Sequence, residues 1–395
     1  MLRSLFSGIS GLKAHQTMMD VVGNNIANVN TNGFKASNVV FEDTLSQMVR
    51  AAAAPSSAAG GLNPTQIGLG VQTGTIQTNF LQGSAQTTNK ATDLMLQGDG
   101  FFVLKDGNQE VYSRAGSFTF DTDGYLINSD GNYVQGFPAT NGVVDPYGNL
   151  TSIRLQVGTT IAGTPSTNAV VSGNMKNGDA STRTLSTEAF DTLGAAHNLT
   201  ISLDDDGSGG FNVTVTDQSD GTTGSGAVTF TAAGANASGA ATITLADGTQ
   251  VDIDLTGITN YAGVESVEVK SHDGAAAGTL QSFQIAPDGT VIGIYSNGQK
   301  RNEAQLAVAN FNNPQGLEKV GDSLYRSSTN SGLAQVGVPG AGGRGTVTSG
   351  SLEMSNVDLG AEFTNLIIAQ RGFQANSKVI TASDEMLQDL VNIKR

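Results

Sequence analysis

The segment Leu2-Arg3-Ser4-Leu5-Phe6-Ser7-Gly8-Ile9-Ser10-Gly11-Leu12 opens the chain, and its apolar residues recur in alternating steps of three and four. The spacing runs from Leu2, Leu5, Ile9 and Leu12 through Gln16, Met19 and Gly23 to Ile26. A helix turns once every 3.6 residues, so this pattern keeps the side chains on one stripe, as in a coiled-coil seam. At 1.5 Å per residue, a helix over residues 2–27 extends about 39 Å. Asn28, Asn30, Asn32 and Gly33 follow, and Asn and Gly accept the left-handed conformation that ends helices.

The far end of the chain repeats the pattern with Leu359, Phe363, Leu366, Gln370, Phe373, Ser377, Ile380, Asp384, Leu387 and Val391. From Gly360 to Arg395 only Gly372 interrupts good helix formers. Ser355 and Asp358 have capping-box spacing, and Met354 and Leu359 stand where a hydrophobic staple places them. Neither helix can hide its stripe alone. The two ends are expected to pair as a coiled coil and to pack against other copies of the chain. The predicted polymerisation seam is Leu2, Leu5, Ile9, Leu12, Met19 and Ile26 with Leu359, Phe363, Leu366, Phe373, Ile380, Leu387 and Val391. The competing reading has both helices padding one face of a globular β core.

Between the ends the chain reads as strands and turns. Leu199, Ile201, Leu203 and Phe211, Val213, Val215 alternate on either side of an Asp/Gly turn. Ile243, Leu245 and Val251, Ile253, Leu255 do the same around Asp247-Gly248. Further turns stand at Asp106-Gly107, Asp123-Gly124, Asp130-Gly131, Asp288-Gly289 and Asn297-Gly298. Ala51 to Gly61, all Ala, Ser, Gly and Pro, is a linker candidate. The expected fold is mainly β, with long α-helices at both termini and two β domains between.

Composition narrows the function. Only 14% of the 395 residues are charged, against a usual share of about 25%. The 51 glycines suit turn-rich β structure. A net charge of −15 argues against a nucleic-acid partner, since polyanion binding draws on clustered Lys and Arg. The absence of cysteine removes disulfides, thiolate metal sites and Cys nucleophiles. Residues 1–28 lack the apolar run of a cleavable secretory signal, and no stretch is long enough to span a membrane. An extracellular protein of this kind leaves by a route that keeps its N-terminus intact.

No catalytic, cofactor or metal residues are expected. His15, His197 and His272 are the only histidines, and nucleophile-elbow, zincin and P-loop motifs are missing. Asp204-Asp205-Asp206-Gly207-Ser208-Gly209 opens like a calcium loop, but position twelve is Val215, so a hairpin turn is the better reading. Gly98-Asp99-Gly100 enters the strand Phe101-Phe102-Val103-Leu104 and not a helix, so it is not a phosphate loop.

One string is more specific. Ala27-Asn28-Val29-Asn30-Thr31-Asn32-Gly33-Phe34-Lys35, after Ser7-Gly8-Ile9-Ser10-Gly11-Leu12, resembles the signature of the flagellar rod and hook family, carried by Ala27, Asn28, Thr31, Gly33, Phe34 and Lys35. Similar to the same family are Asp93 to Phe102, Tyr112 to Gly136 and Gly350 to Leu387. The last holds Ser355-Asn356-Val357-Asp358-Leu359 and Gln370-Arg371-Gly372-Phe373-Gln374-Ala375-Asn376. Phe190-Asp191-Thr192-Leu193-Gly194 followed by His197, and Asp288 to Gly298, resemble its hook branch. Distal rod members lack a large middle insertion such as residues 141–284 here.

The resemblance implies a non-enzymatic subunit that self-assembles into a curved extracellular tube, a universal joint between motor and filament. Residues 1–30 and 357–395 would form the inner coiled-coil tube, and 31–70 and 345–356 a connecting segment. Residues 71–140 and 285–344 would form an inner β domain, and 141–284 an outer one. The implied partners are the chain itself, a distal rod protein, a hook cap, a hook-filament junction protein and the flagellar type III export apparatus. Neither nucleic acid nor membrane insertion is implied. Alternatives are a distal rod subunit, a secreted β-rich adhesin and, third, a carbohydrate-active enzyme, which would need two converging acids.

Overall fold

The computed structural model describes residues 2–52, 54, 60–178 and 181–393. Helix α1 (Leu2–Ala27) and helix α2 (Leu359–Ile393) stand at the two ends, with strands and turns between them. The chain is mainly β with helices at both termini. The linker candidate Ala51–Gly61 lies in large part outside the described residues.

α1 covers the residues that the three-four spacing predicts, but its ending differs in detail. Gly33 takes the left-handed conformation, with φ of 69°, and Asn28, Asn30 and Asn32 do not. Asn28 acts through its side chain, whose amide donates to the carbonyl of Asn24 at 2.9 Å. The start of α2 also departs from the capping box. Asp358 caps alone, its Oδ1 accepting from the backbone N–H groups of Gly360 at 2.8 Å and Ala361 at 3.2 Å. Ser355 receives only a long bond from Val357 N at 3.4 Å. Residues 354–356 are engaged elsewhere: Met354 N donates to Ser84 O, and the Asn356 side chain reaches Ala36, Asn79 and Leu81.

Contacts divide the chain into two units, one of Met1–Leu155, Gln284–Val291 and Asn302–Arg395, the other of Gln156–Phe283 and Ile292–Arg301. In the first, strands Phe101–Asp106 and Gln109–Ser113 pair across Gly107, which takes a φ of 58°. Phe101 to Leu104 are buried on both faces. Phe101 packs edge-on with Phe80 and Phe311, while Phe102, facing the other way, meets Phe118 at 5.2 Å. A continuous apolar run, without polar alternation, is what such a doubly covered strand requires.

The first unit also carries a long antiparallel ribbon: β1 (Ser37–Asp43), β2 (Ser46–Arg50), β3 (Thr65–Gly68) and β4 (Val71–Thr78). β1 pairs with β4 and β2 with β3. β1 and β4 lie along α1, where His15 meets Phe41 edge-on at 5.6 Å and Val71 N donates to Ser10 Oγ at 3.2 Å.

The second unit is an eight-stranded sheet in which the predicted hairpins appear: Ile201 faces Val215, Leu203 faces Val213, and Ile243 faces Val251. All six side chains are buried in one apolar cluster. One pair is parallel, Asn168–Asn174 with Gln250–Thr259. Leu203→Ala should therefore destabilise this unit by about 2–5 kcal/mol, the usual cost of an emptied leucine site. Denaturant unfolding followed at this unit checks it. The Asp204–Gly209 string is a turn, with Asp206 Oδ1 accepting from Ser208 N and Gly210 N.

His197 ties two turns of this unit together. Its Nδ1 lies 2.6 Å from Asp217 Oδ2 and its Nε2 3.8 Å from Asp191 Oδ2. Burial opposes the imidazolium charge, but the Asp217 hydrogen bond and the charges of Asp217, Asp191 and Asp220 outweigh it and hold His197 above its ordinary range. A raised basic group stabilises fully below its unfolded pKa, about 6.5, and loses that contribution as pH rises through the folded value. The melting temperature of this unit should fall from pH 6 toward alkaline pH, and His197→Gln should flatten the slope.

Candidate assembly interface

α1 and α2 run antiparallel against each other. Ser4 Oγ lies 3.3 Å from Ser383 Oγ at one end, and Asn25 Nδ2 donates to Glu362 Oε1 at 3.1 Å at the other. Between them glycines set the distance. A methyl group on Gly8 would sit 3.2 Å from Ile380 Cγ1, on Gly11 2.7 Å from Asn376 Oδ1, and on Gly372 2.4 Å from His15 Nε2. Gly8, Gly11, Ala14, Val22 and Asn25 are buried on α1, and Glu362, Ala369 and Ser383 on α2. Small residues permit this approach because no side chain stands between the backbones.

The predicted seam lies beside this line of contact. Leu5, Ile9, Leu12, Met19 and Ile26 are half-buried, as are Leu366, Phe373, Ile380 and Leu387. Leu359 and Phe363 are 40% and 51% exposed. The side chains of Leu2 and Val391 lie outside the described residues. Of the predicted seam, Ile380 stands directly at the contact, against Gly8. Phe6, Ile367, Ile368, Val379 and Met386 add further exposed apolar surface. The contact line Ser4, Gly8, Gly11, His15, small but for the histidine that fits over Gly372, has the same three-four spacing, but a hydrophobicity-led reading passes over it.

A knot of buried polar groups holds the helix pair to the β structure of its unit. The motif residues supply one side of it. Ala27 closes α1, and Thr31 Oγ1 donates to Asn28 Oδ1 at 3.1 Å. Gly33 N donates to the Glu353 carbonyl at 2.7 Å, and a methyl group there would lie 2.5 Å from Ala115 N. Phe34 is half-buried under the Lys319 ammonium, 5.4 Å from its ring centre. Lys35 is wholly buried and donates from Nζ to Glu353 Oε1 and to the Leu81 carbonyl, each at 2.7 Å.

Glu353 is equally buried, and its Oε2 lies 3.6 Å from Arg114 Nη1. Its Oε1 also accepts from Gly83 N at 2.9 Å. Burial pulls both Lys35 and Arg114 below their ordinary ranges, and the Glu353 carboxylate opposes that shift in each. Asn25 adds a second crossing, donating to the Ser37 carbonyl at 2.8 Å and accepting from Ser37 N at 3.0 Å. Burial pushes the Glu362 carboxyl up, against the Asn25 hydrogen bond. Asn356 makes a third, accepting from Ala36 N and donating to the carbonyls of Asn79 and Leu81. Sequence reading marked Lys35 as a motif residue but could not find its partners.

Three family models match these same regions. Residues 5–35 match "Flagella basal body rod protein", 95–167 "Flagellar hook protein FlgE/F/G D1 domain", and 348–393 "Flagellar basal body rod FlgEFG protein C-terminal". Along its whole length the chain is 36% identical to the whole flagellar hook protein FlgE of Borreliella burgdorferi. The chain belongs to the flagellar hook protein family. Against the hook protein FlgE of Escherichia coli identity is 34%, over 98% of each chain. Against the flagellar basal-body rod protein FlgG of Bacillus subtilis it is also 34%, over the whole of both. The crystal structure of Helicobacter pylori flagellar hook protein FlgE2 shares the fold, with a TM-score of 0.52 and 15% identity over 68% of this chain and all of that one. Membership of the hook family makes the chain a structural component of the flagellum; most of the helix pair, with Asn25, Lys35, Glu353, Asn356 and Glu362 of its polar knot, falls inside the matched end regions, and Arg114 inside the D1 match.

Among the described residues no group of three or more His, Cys, Asp or Glu could hold a metal ion. No described helix is long and apolar enough to cross a membrane.

Proposed function

We propose that the chain polymerises through its terminal helices into a curved extracellular tube that works as a universal joint, passing torque from the basal body to the filament. The exposed apolar surface of α2 carries this reading. Leu359, Phe363, Ile367, Ile368 and Met386 are between 40% and 57% exposed on a helix whose own partner meets it through small and polar groups. Exposed apolar surface of this extent is unfavourable in water, and covering it with copies of α1 and α2 as a coiled-coil wall removes it. Residues 1–30 and 357–395 then line the inner tube, 31–70 and 345–356 connect it to an inner β domain of 71–140 and 285–344, and 141–284 form the outer domain.

Bending while rotating requires subunits to slide at one radius and hold at another. The helical seam holds the wall closed, while polar, Gly-rich surfaces slide because water replaces their lost contacts. Within the flagellum the chain's neighbours are the distal rod, the hook cap and the hook-filament junction protein. It reaches them through the type III apparatus and has no catalytic task.

Negative-stain microscopy of the purified chain tests the proposal. Short curved tubes are expected, and a protein that stays monomeric at every concentration would overturn it. The 34% identity to a rod protein over the whole of both chains carries a second, weaker reading, a distal rod subunit. That reading predicts straight, stiff tubes.

A further inference from the structure

Lys35, Arg114 and Glu353 come from three distant parts of the chain. Lys35 follows α1, Arg114 follows the strand Gln109–Ser113, and Glu353 ends the strand Ser351–Glu353 shortly before α2. Lys35 and Glu353 are 318 residues apart. Their side chains have no exposed area, and that of Arg114 keeps 2%. One carboxylate thus serves two buried cations.

Removing Glu353 leaves those cations without the anion both pair with, and an unpaired charge held out of water is strongly unfavourable. The Glu353 carbonyl, which receives Gly33 N, goes with the same segment. So does the Asn356 side chain, which receives Ala36 N. Residues 33–36 therefore lack three of their anchoring contacts, at Gly33, Lys35 and Ala36, until the segment around Glu353 is in place. Burial weakens the charged forms of Lys35 and Arg114 even with Glu353 present, so the site has little tolerance for its loss.

We propose that the Lys35–Glu353–Arg114 cluster is an assembly gate: it seats the N-terminal segment, and with it α1, only when the C-terminal segment of the same chain has docked. Incomplete or partly unfolded copies then present no ordered helix pair to a growing polymer. The inference rests on polymerisation through the terminal helices.

The test uses the full-length chain with Glu353→Gln, which keeps the shape and the acceptor for Gly83 N but removes the charge. Amide hydrogen exchange is followed at residues 33–37 and, as an internal reference, at residues 199–255 of the second unit. Exchange at 33–37 should quicken at least tenfold with the reference unchanged, and the rate of tube formation should fall at least tenfold.

The triple variant Lys35→Met/Arg114→Met/Glu353→Gln has no charge left to pair. The Leu81 carbonyl keeps the Asn356 hydrogen bond, so the triple variant should regain most of the lost protection and assemble again. Wild-type exchange in Glu353→Gln would overturn the gate. So would normal tube formation by a Glu353→Gln chain that has lost protection, or failure of the triple variant to regain it. Failure of the unmutated chain to form tubes would instead mark the failure of the polymer reading, and the exchange comparison still decides whether the cluster seats the segment.

Discussion

Gly33→Ala should lower the stability of the first unit by more than about 3 kcal/mol and release α1 from its β structure. Gly33 has a φ of 69°, where a Cβ costs about 1–2 kcal/mol from conformation alone. The new methyl group would also lie 2.5 Å from Ala115 N and 2.8 Å from Ala115 Cα. Those are backbone atoms that no rotamer change can move, so the 33–35 segment must lift. Lifting it breaks the Gly33 bond to the Glu353 carbonyl and pulls Lys35 from its carboxylate. Calorimetry of the variant should show a lowered transition for the first unit and an unchanged one for the second. An unaltered first-unit transition would show that the motif glycine is not under this constraint.

Ile380→Asp should stop tube formation. Ile380 packs against Gly8 about one turn from the Ser4–Ser383 end of the helix pair, on the predicted seam. Fully burying such a side chain contributes about 1.5–3 kcal/mol, of which a half-buried one provides part. The new carboxylate adds a desolvation cost of several kcal/mol and sits one helical turn from Asp384, a like-charge neighbour. In a polymer the loss recurs in every subunit. Ser377→Asp is the control, since Ser377 is exposed on the same helix and tolerates a charge. Sedimentation and microscopy of both variants, matched for folding by circular dichroism, decide the matter. Assembly of Ile380→Asp at the wild-type rate would refute the seam.

Both results turn on the difference between a pattern and its partner. The three-four spacing of Leu5, Ile9 and Leu12 fixed α1 as a helix with an apolar stripe, because periodicity is a local property of the chain. It could not say what the stripe faces. Gly8 and Gly11, one residue aside, meet α2 instead, because glycines let two helix backbones come close while larger side chains stand off to the flanks. A stripe left half-covered in one copy is what a hydrophobicity pattern cannot distinguish from a core.

The same division runs through the rest of the protein. Alternation around Asp-Gly and Asn-Gly turns was enough to place the hairpins of Leu199 to Val215 and Ile243 to Leu255, since each is closed by residues close in sequence. The ending of α1 and the beginning of α2 were legible to within a few residues. Their caps were not: the residues on either side of Ser355 are tied to distant parts of the chain, Met354 to Ser84 and Asn356 to Ala36, Asn79 and Leu81, and Asp358 caps α2 without Ser355. Local sequence thus determined the helices, the strands and the family motif around Lys35. Only the tertiary structure decided that Lys35, Arg114 and Glu353 share one dry site: an ion pair across 318 residues leaves no periodic trace, and it exists only where folding has removed the water.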